Sequence, residues 1–281
     1  MCLEQGHEYR QILSGEAFGL FQFGIDSGDL TSEFGSDTRI TVNSTDDAIA
    51  ILQDTAFGFA RTSLGAGTHI NATGGGFAAG VLQMSTDNRF VLGENSTINV
   101  RAGIVGFGLL QDITATPATN RTIIGANSRI DVVAADFAAG IFSEAEGTTS
   151  SFLTVEQGAE ISATADEAVG VDIDADNFKV QNRGRITATS TDFPRRSFGV
   201  RTFGEGNNFE NHGSVFADLA PTSYAILMTG NNNMLSLLTY PVIQGRSPSV
   251  IAAAADSAQA IPCSSVVALM LPLLLVLVQM A

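Results

Sequence analysis

Tryptophan is absent, cysteine occurs twice, histidine three times, and 14 basic residues face 29 acidic ones in a chain of 281. Each scarcity closes off a class of explanation. Cys2 and Cys263 stand at opposite ends, so there is neither a disulfide framework nor the paired spacing of a zinc site. His7, His69 and His212 fall in separate segments, with no Gly-x-Ser-x-Gly elbow and no partnered cysteine. A net charge of −15 argues against binding nucleic-acid phosphate, which needs a basic face, and no nucleic-acid partner is expected. Before the last 25 residues no apolar stretch is long enough, or periodic at 3.6, to make a helix.

What is present is a repeat. The first inward β-branched residue after each polar turn gives the series Ile40, Ile70, Ile98, Ile130, Ile161, Ile186 and Val215, with gaps of 25 to 32. A small residue followed by an apolar one gives a second series: Gly19-Leu20, Ala50-Ile51, Gly80-Val81, Gly108-Leu109, Gly140-Ile141, Gly170-Val171, Gly199-Val200 and Ala225-Ile226. The second mark follows the first by ten residues in five of seven cases, so the two keep one phase. A third apolar patch closes each unit at Phe59, Phe90, Ile123, Phe152, Phe178, Phe209 and Leu235.

Three short apolar runs separated by Gly/Asn/Thr/Asp turns in about 30 residues read as one coil of a parallel solenoid. The sequence thus predicts an all-β, right-handed parallel β-helix of seven to eight three-strand coils, stacked about 4.8 Å apart. The small residue before the second mark is expected at a corner, and phenylalanine is read as the main large filler of a narrow core.

The chain divides into 1–30, a partial first coil without a signal peptide; 31–245, the solenoid; 246–260, a Ser/Pro/Ala-rich linker; and 261–281, an apolar segment. From Ser257 to Ala281 there is no charge, and Val266 to Val278 is an unbroken run of 13 carrying Pro272. With its flanks, this end is long enough for a transmembrane helix. Longer turns at Ala115–Asn120 and Thr189–Ser197 are expected as loops on one face, and Arg195-Arg196 as a solvated loop tip.

Candidate chemistry is sparse. Alternation puts Asp172, Asp174 and Asp176 on one strand face, a set of hard oxygen ligands that suits calcium but reads more simply as the wet face of a strand. An enzyme would call for charged residues at one phase in adjacent coils, and only this single-strand set stands out. Asp46-Asp47 and Asn211-His212-Gly213 echo pectin-degrading glycosidases only faintly, and the latter shares its turn position with Asn182-Arg183-Gly184. No catalytic, cofactor-binding or metal-ligating residue is therefore assigned.

Asn182-Arg183-Gly184-Arg185-Ile186, followed by Phe198-Gly199-Val200, resembles the coil pattern of bacterial autotransporter passenger domains, the type V secreted proteins. Gly230-Asn231-Asn232-Asn233-Met234-Leu235-Ser236-Leu237-Leu238, continuing to Val242-Ile243-Gln244-Gly245, is similar to the last coils of such passengers. The resemblance covers residues 31–245 and implies a non-enzymatic, adhesin-like surface rod exposed at the outer membrane and facing host or neighbouring cells. Only 36 residues follow Gly245, too few for a membrane barrel, so the chain reads as a passenger fragment. The alternatives are a β-helix polysaccharide lyase or glycoside hydrolase, and a tail-anchored membrane protein held by residues 261–281.

Overall fold

The computed structural model describes residues 2–3, 8–13, 15–24, 28–56, 58–112, 119–145, 151–192, 196–218, 223–237, 242–244 and 251–254. They form a right-handed parallel β-solenoid with three nine-stranded sheets, each coil giving one strand to each sheet. Sheet one holds Cys2–Leu3, Leu30–Phe34, Phe59–Leu64, Asp87–Leu92, Thr119–Ile124, Phe152–Val155, Lys179–Asn182, Asn208–Asn211 and Met234–Leu237. Sheet two runs from Glu8–Leu13 to Val242–Gln244, and sheet three from Ala17–Gly24 to Ile251–Ala254. Counting the partial N-terminal coil as the first, the seven coils from the second to the eighth, Leu30 through Thr229, carry three strands of four or more residues each. Residues 251–254, inside the stretch read as linker, add the ninth strand of sheet three. The transmembrane helix expected over 261–281 lies outside the described residues.

Both sequence marks are columns. Ile40, Ile70, Ile98, Ile130, Ile161, Ile186 and Val215 stand one above another in sheet two. Leu20, Ile51, Val81, Leu109, Ile141, Val171, Val200 and Ile226 do the same in sheet three. Burying one such side chain stabilises by about 1.5–3 kcal/mol. Surface ion pairs between coils, such as Arg101–Asp131 at 2.6 Å and Arg183–Glu156 at 3.1 Å, contribute about 1 kcal/mol or less. The columns therefore dominate.

The two marks also interlock. A Cβ built on Gly80, Gly108, Gly140 or Gly170 would lie 2.2–2.4 Å from the Cγ2 of Ile98, Ile130, Ile161 or Ile186, and 2.4–2.6 Å from the next coil's glycine carbonyl oxygen. The missing side chain makes room for the isoleucine of the coil above. Pairing in sheet three skips this position in the middle coils, where the strand turns its corner.

At the corner between sheets one and two, Asp37, Asn95 and Asn127 adopt left-handed φ of 58°, 56° and 54°, and Gly67 and Gly158 take the same position in other coils at 69° and 76°. Asparagine, aspartate and glycine tolerate this region best. From the seventh coil on, the left-handed residue moves to the corner before sheet one, at Asn177, Gly206 and Asn232. The Asn-x-Gly turns then take the other corner. Asn182 Oδ1 accepts from Gly184 N at 3.0 Å, Asn211 Oδ1 accepts from Gly213 N at 3.3 Å, and Asn182 Nδ2 donates to Asn211 Oδ1 at 2.7 Å. The turn position they share accounts for Asn211-His212-Gly213.

The interior differs from expectation in one respect. Among the described residues only Phe34, Phe90, Phe178 and Phe209 of the phenylalanines belong to the central core, so isoleucine, valine and alanine are its main fillers. Three coils bury glutamine in it instead, at Gln53, Gln83 and Gln111, and the half-buried Gln22 continues the ladder. Gln53 Nε2 donates to Gln22 Oε1 at 2.8 Å, Gln83 Nε2 to Gln53 Oε1 at 2.9 Å, and Gln111 Nε2 to Gln83 Oε1 at 3.0 Å. Ser32, Thr62 and Thr122 of sheet one donate to Gln22, Gln53 and Gln111 at 2.7–2.9 Å. A fully satisfied buried network fixes register, whereas a broken one strands its members. Gln83→Leu is expected to lower unfolding free energy by about 1–3 kcal/mol in denaturant titration, because it leaves Gln53 Oε1 and Gln111 Nε2 short of a partner.

Candidate interaction surface

The corner glycine shifts the side-chain phase of sheet three by one residue. In the third coil Ala78 and Val81 face inward, Ala79 and Leu82 face outward, and Gln83 faces inward again. Two outward columns result. The first is Phe18, Ile49, Ala79, Phe107, Ala139, Val169, Phe198 and Tyr224; the second is Phe21, Leu52, Leu82, Leu110, Phe142, Asp172, Arg201 and Leu227. In the first five coils every member of both is apolar.

Ile49, Leu52, Ala79 and Leu82 form a second hydrophobic cluster outside the central core, covered by Phe18, Phe77, Met84, Phe107 and Leu110. The rings overlap like shingles: Phe77–Phe107 centroids are 5.8 Å apart, Phe107–Phe137 5.7 Å and Phe107–Phe142 5.9 Å. The cover fails at the N-terminal end, where Phe21 and Phe23 are 55% and 57% exposed. Nine of the sixteen described phenylalanines lie on this outer side.

In the sixth and seventh coils the same columns turn ionic. Arg201 grips Asp172 in two bonds, Nε–Oδ1 at 2.9 Å and Nη2–Oδ2 at 2.6 Å, and its Nη1 reaches Glu167 Oε1 at 3.0 Å. Its guanidinium also sits 4.9 Å from the Phe198 ring centroid and 5.4 Å from that of Phe203. Phe198 in turn stacks on Tyr224 at 5.9 Å. Burial pushes the Asp172 carboxyl above its ordinary range despite Arg201's pull, and Asp174 and Glu167 add repulsion. Burial works against the Arg201 charge as well, but Asp172 and Glu167 more than offset it, and its proton is held more tightly than usual.

This corrects the reading of the acidic set. Asp172, Asp174 and Asp176 do face outward, but Asp172 is not on a wet face. It is 1% exposed and committed to Arg201. Asp174 is exposed, and Asp176 Oδ1 accepts from the Glu205 backbone N–H at 2.7 Å. Among the described residues no three His, Cys, Asp or Glu side chains converge to hold a metal ion.

The remaining singled-out residues stay apart. Asp46-Asp47 and His212 are six coils, roughly 29 Å, from each other. Asp47 Oδ1 accepts from Phe77 N at 2.8 Å, a turn-capping role. His69 faces out from sheet two with Nδ1 2.8 Å from Thr97 Oγ1. Arg196 is exposed, while Arg195 and most of the loop Ala115–Asn120 lie outside the described residues. Arg201, which sequence reasoning missed, stands two residues after Gly199 just as Asp172 stands two after Gly170, so common phase alone pairs them.

Comparison with known proteins finds no matching family model, no similar curated protein and no similar solved structure.

Proposed function

We propose that this chain is a non-enzymatic cell-surface rod of the autotransporter-passenger kind, working by presenting long, regular faces to host or neighbouring cells. The observation that carries this reading is the unbroken parallel register over seven coils, a stack of about 34 Å in which every coil repeats the same three faces. Stiffness comes from the stacked columns, and recognition from what varies on the outside. The turn chemistry of the last coils, with paired Asn-x-Gly corners, fits the resemblance noted in the sequence.

The reading predicts saturable binding of the labelled, purified chain to bacterial or host cells, measured by flow cytometry, together with no turnover of polygalacturonate with or without calcium. Turnover that is lost in Asp174→Asn would overturn it in favour of a carbohydrate-active enzyme.

A further inference from the structure

Sheet one carries a column of like charge that the sequence reading overlooked. Arg61, Arg89 and Arg121 are direct register partners in three successive coils, continued by Phe152 and Lys179. Their Cα atoms follow the strand spacing of about 4.8 Å. All three alternate with buried neighbours and project outward, Arg61 exposed and the other two half-exposed. Stacking three cations at this spacing works against folding, by roughly 0.8 kcal/mol per adjacent pair in water. Asp87 relieves part of it, because Arg89 turns back on its own strand to pair with Asp87 at 2.8 Å. Lys179 is engaged with Glu210 at 2.9 Å.

The surroundings of the column define what would fit it. Phe59 and Phe152 flank it, Val91 and Ile123 lie alongside, and the Ser63 and Thr154 hydroxyls share the same outer face. A track of arginines on evenly spaced strands, bordered by apolar side chains and hydroxyls and interrupted by the Asp87 and Glu33 carboxylates, suits a sugar chain. The acid groups pair with arginine, the CH faces of the rings pack on the apolar border, and the ring hydroxyls find polar partners. An extended acidic polysaccharide advances by about one strand spacing per sugar, so charges along its edge recur in step with the coils, at every coil or every second one according to the twist of the chain. The overall charge of −15 does not forbid this, because at physiological salt the field of distant carboxylates fades within about 8 Å. It does oppose a densely charged nucleic acid, which would run far beyond three cations.

We propose that the Arg61–Arg89–Arg121 column is a binding track for an acidic polysaccharide bearing a carboxylate or sulfate on each sugar, with Asp87 holding Arg89 until the ligand displaces it. The proposal rests on the register of sheet one and holds whether or not the rod is exported. The test uses the full chain in calorimetric titrations with a sulfated tetrasaccharide, a polygalacturonate tetramer, neutral dextran and single-stranded DNA. Binding to one or both acidic glycans is expected, weakening with added salt, and none to dextran. Arg61→Ala and Arg121→Ala should each weaken it roughly tenfold, the value of one charge-assisted bond. Asp87→Asn, by releasing Arg89, should tighten it severalfold. Arg101→Ala, on sheet two and paired with Asp131, is the control and should change nothing. Circular dichroism melts confirm that each variant is folded. Absence of glycan binding, equal binding in the Arg61 and Arg121 variants, no tightening in Asp87→Asn, or DNA bound as tightly as glycan would each overturn the proposal.

Discussion

Replacing Gly108 by valine is expected to remove about 3 kcal/mol or more of stability, which for a chain of this size means a melting temperature lower by about 10 °C. The first added atom alone would lie 2.2 Å from Ile130 Cγ2 and 2.4 Å from the Gly140 carbonyl oxygen. The isoleucine is pinned in its own column, and the carbonyl belongs to the backbone of the next coil, so neither can yield cheaply. Because each coil touches only its neighbours, the damage should begin locally. Amide exchange should quicken in the fourth and fifth coils before the others. Gly106, two residues earlier, provides the contrast. Its added Cβ would meet only side chains, Val132 at 3.0 Å and two alanines at 3.4–3.5 Å. The same column holds Ala48, Ala78, Ala138 and Ala168 in neighbouring coils. Gly106→Ala should therefore be neutral or stabilise by up to about 1 kcal/mol. Equal thermal shifts for Gly106→Ala and Gly108→Val would mean that the glycine column is not a packing requirement.

The same glycine explains why the interior was legible in the sequence and the exterior only partly so. The isoleucine column could be read directly, because Ile40 through Val215 recur at one phase after turns that mark themselves with Asn and Gly. The glycine–apolar mark could be read for the same reason. Strict alternation, however, fails across Gly80. Counting in twos from Ala78 would bury Leu82 and expose Gln83, whereas the corner at Gly80-Val81 slips the phase by one and does the reverse. The glutamine ladder was thus hidden as an apparently polar strand end, and the outer apolar columns as apparent core. Phenylalanine misled in the same way, since Phe107 and Phe142 look like fillers but roof the outside of sheet three. The arginine column needed no such correction. Arg61, Arg89 and Arg121 each precede their isoleucine mark by nine residues, so the repeat phase already aligned them. The paired charges of Asp172 and Arg201 were equally within reach of that phase. What the sequence could not supply was the burial of Asp172, which depends on Arg201 folding across it between aromatic rings.

That burial makes the second large effect. Arg201→Met is expected to destabilise the chain by about 3–5 kcal/mol at neutral pH, because it removes the partner of a carboxylate that has no access to water. The loss should shrink as the solution is acidified. The Asp172 carboxyl already lies above its ordinary range through burial, and without Arg201's pull it rises further. A raised group contributes its stability in full below its unfolded value and loses it as pH climbs through the folded one, so the penalty is greatest at neutral pH and relieved near pH 4. Two other carboxylates move the opposite way. At Asp131 burial is outweighed by Ser162 and Arg101, and at Glu210 the Lys179 bond leads; both are held low, and their stability is lost on acidification. They are common to parent and variant, so they cancel in the difference between the two curves. Denaturant titrations of both proteins at pH 7 and pH 4 measure that difference directly. The double variant Asp172→Leu, Arg201→Met provides the second arm. It removes both charges while keeping apolar bulk against Phe198 and Phe203, and should recover most of the stability that the single change costs. A double variant no more stable than Arg201→Met alone, or a deficit that does not change with pH, would show that Arg201 acts by packing on the rings rather than by holding a buried charge.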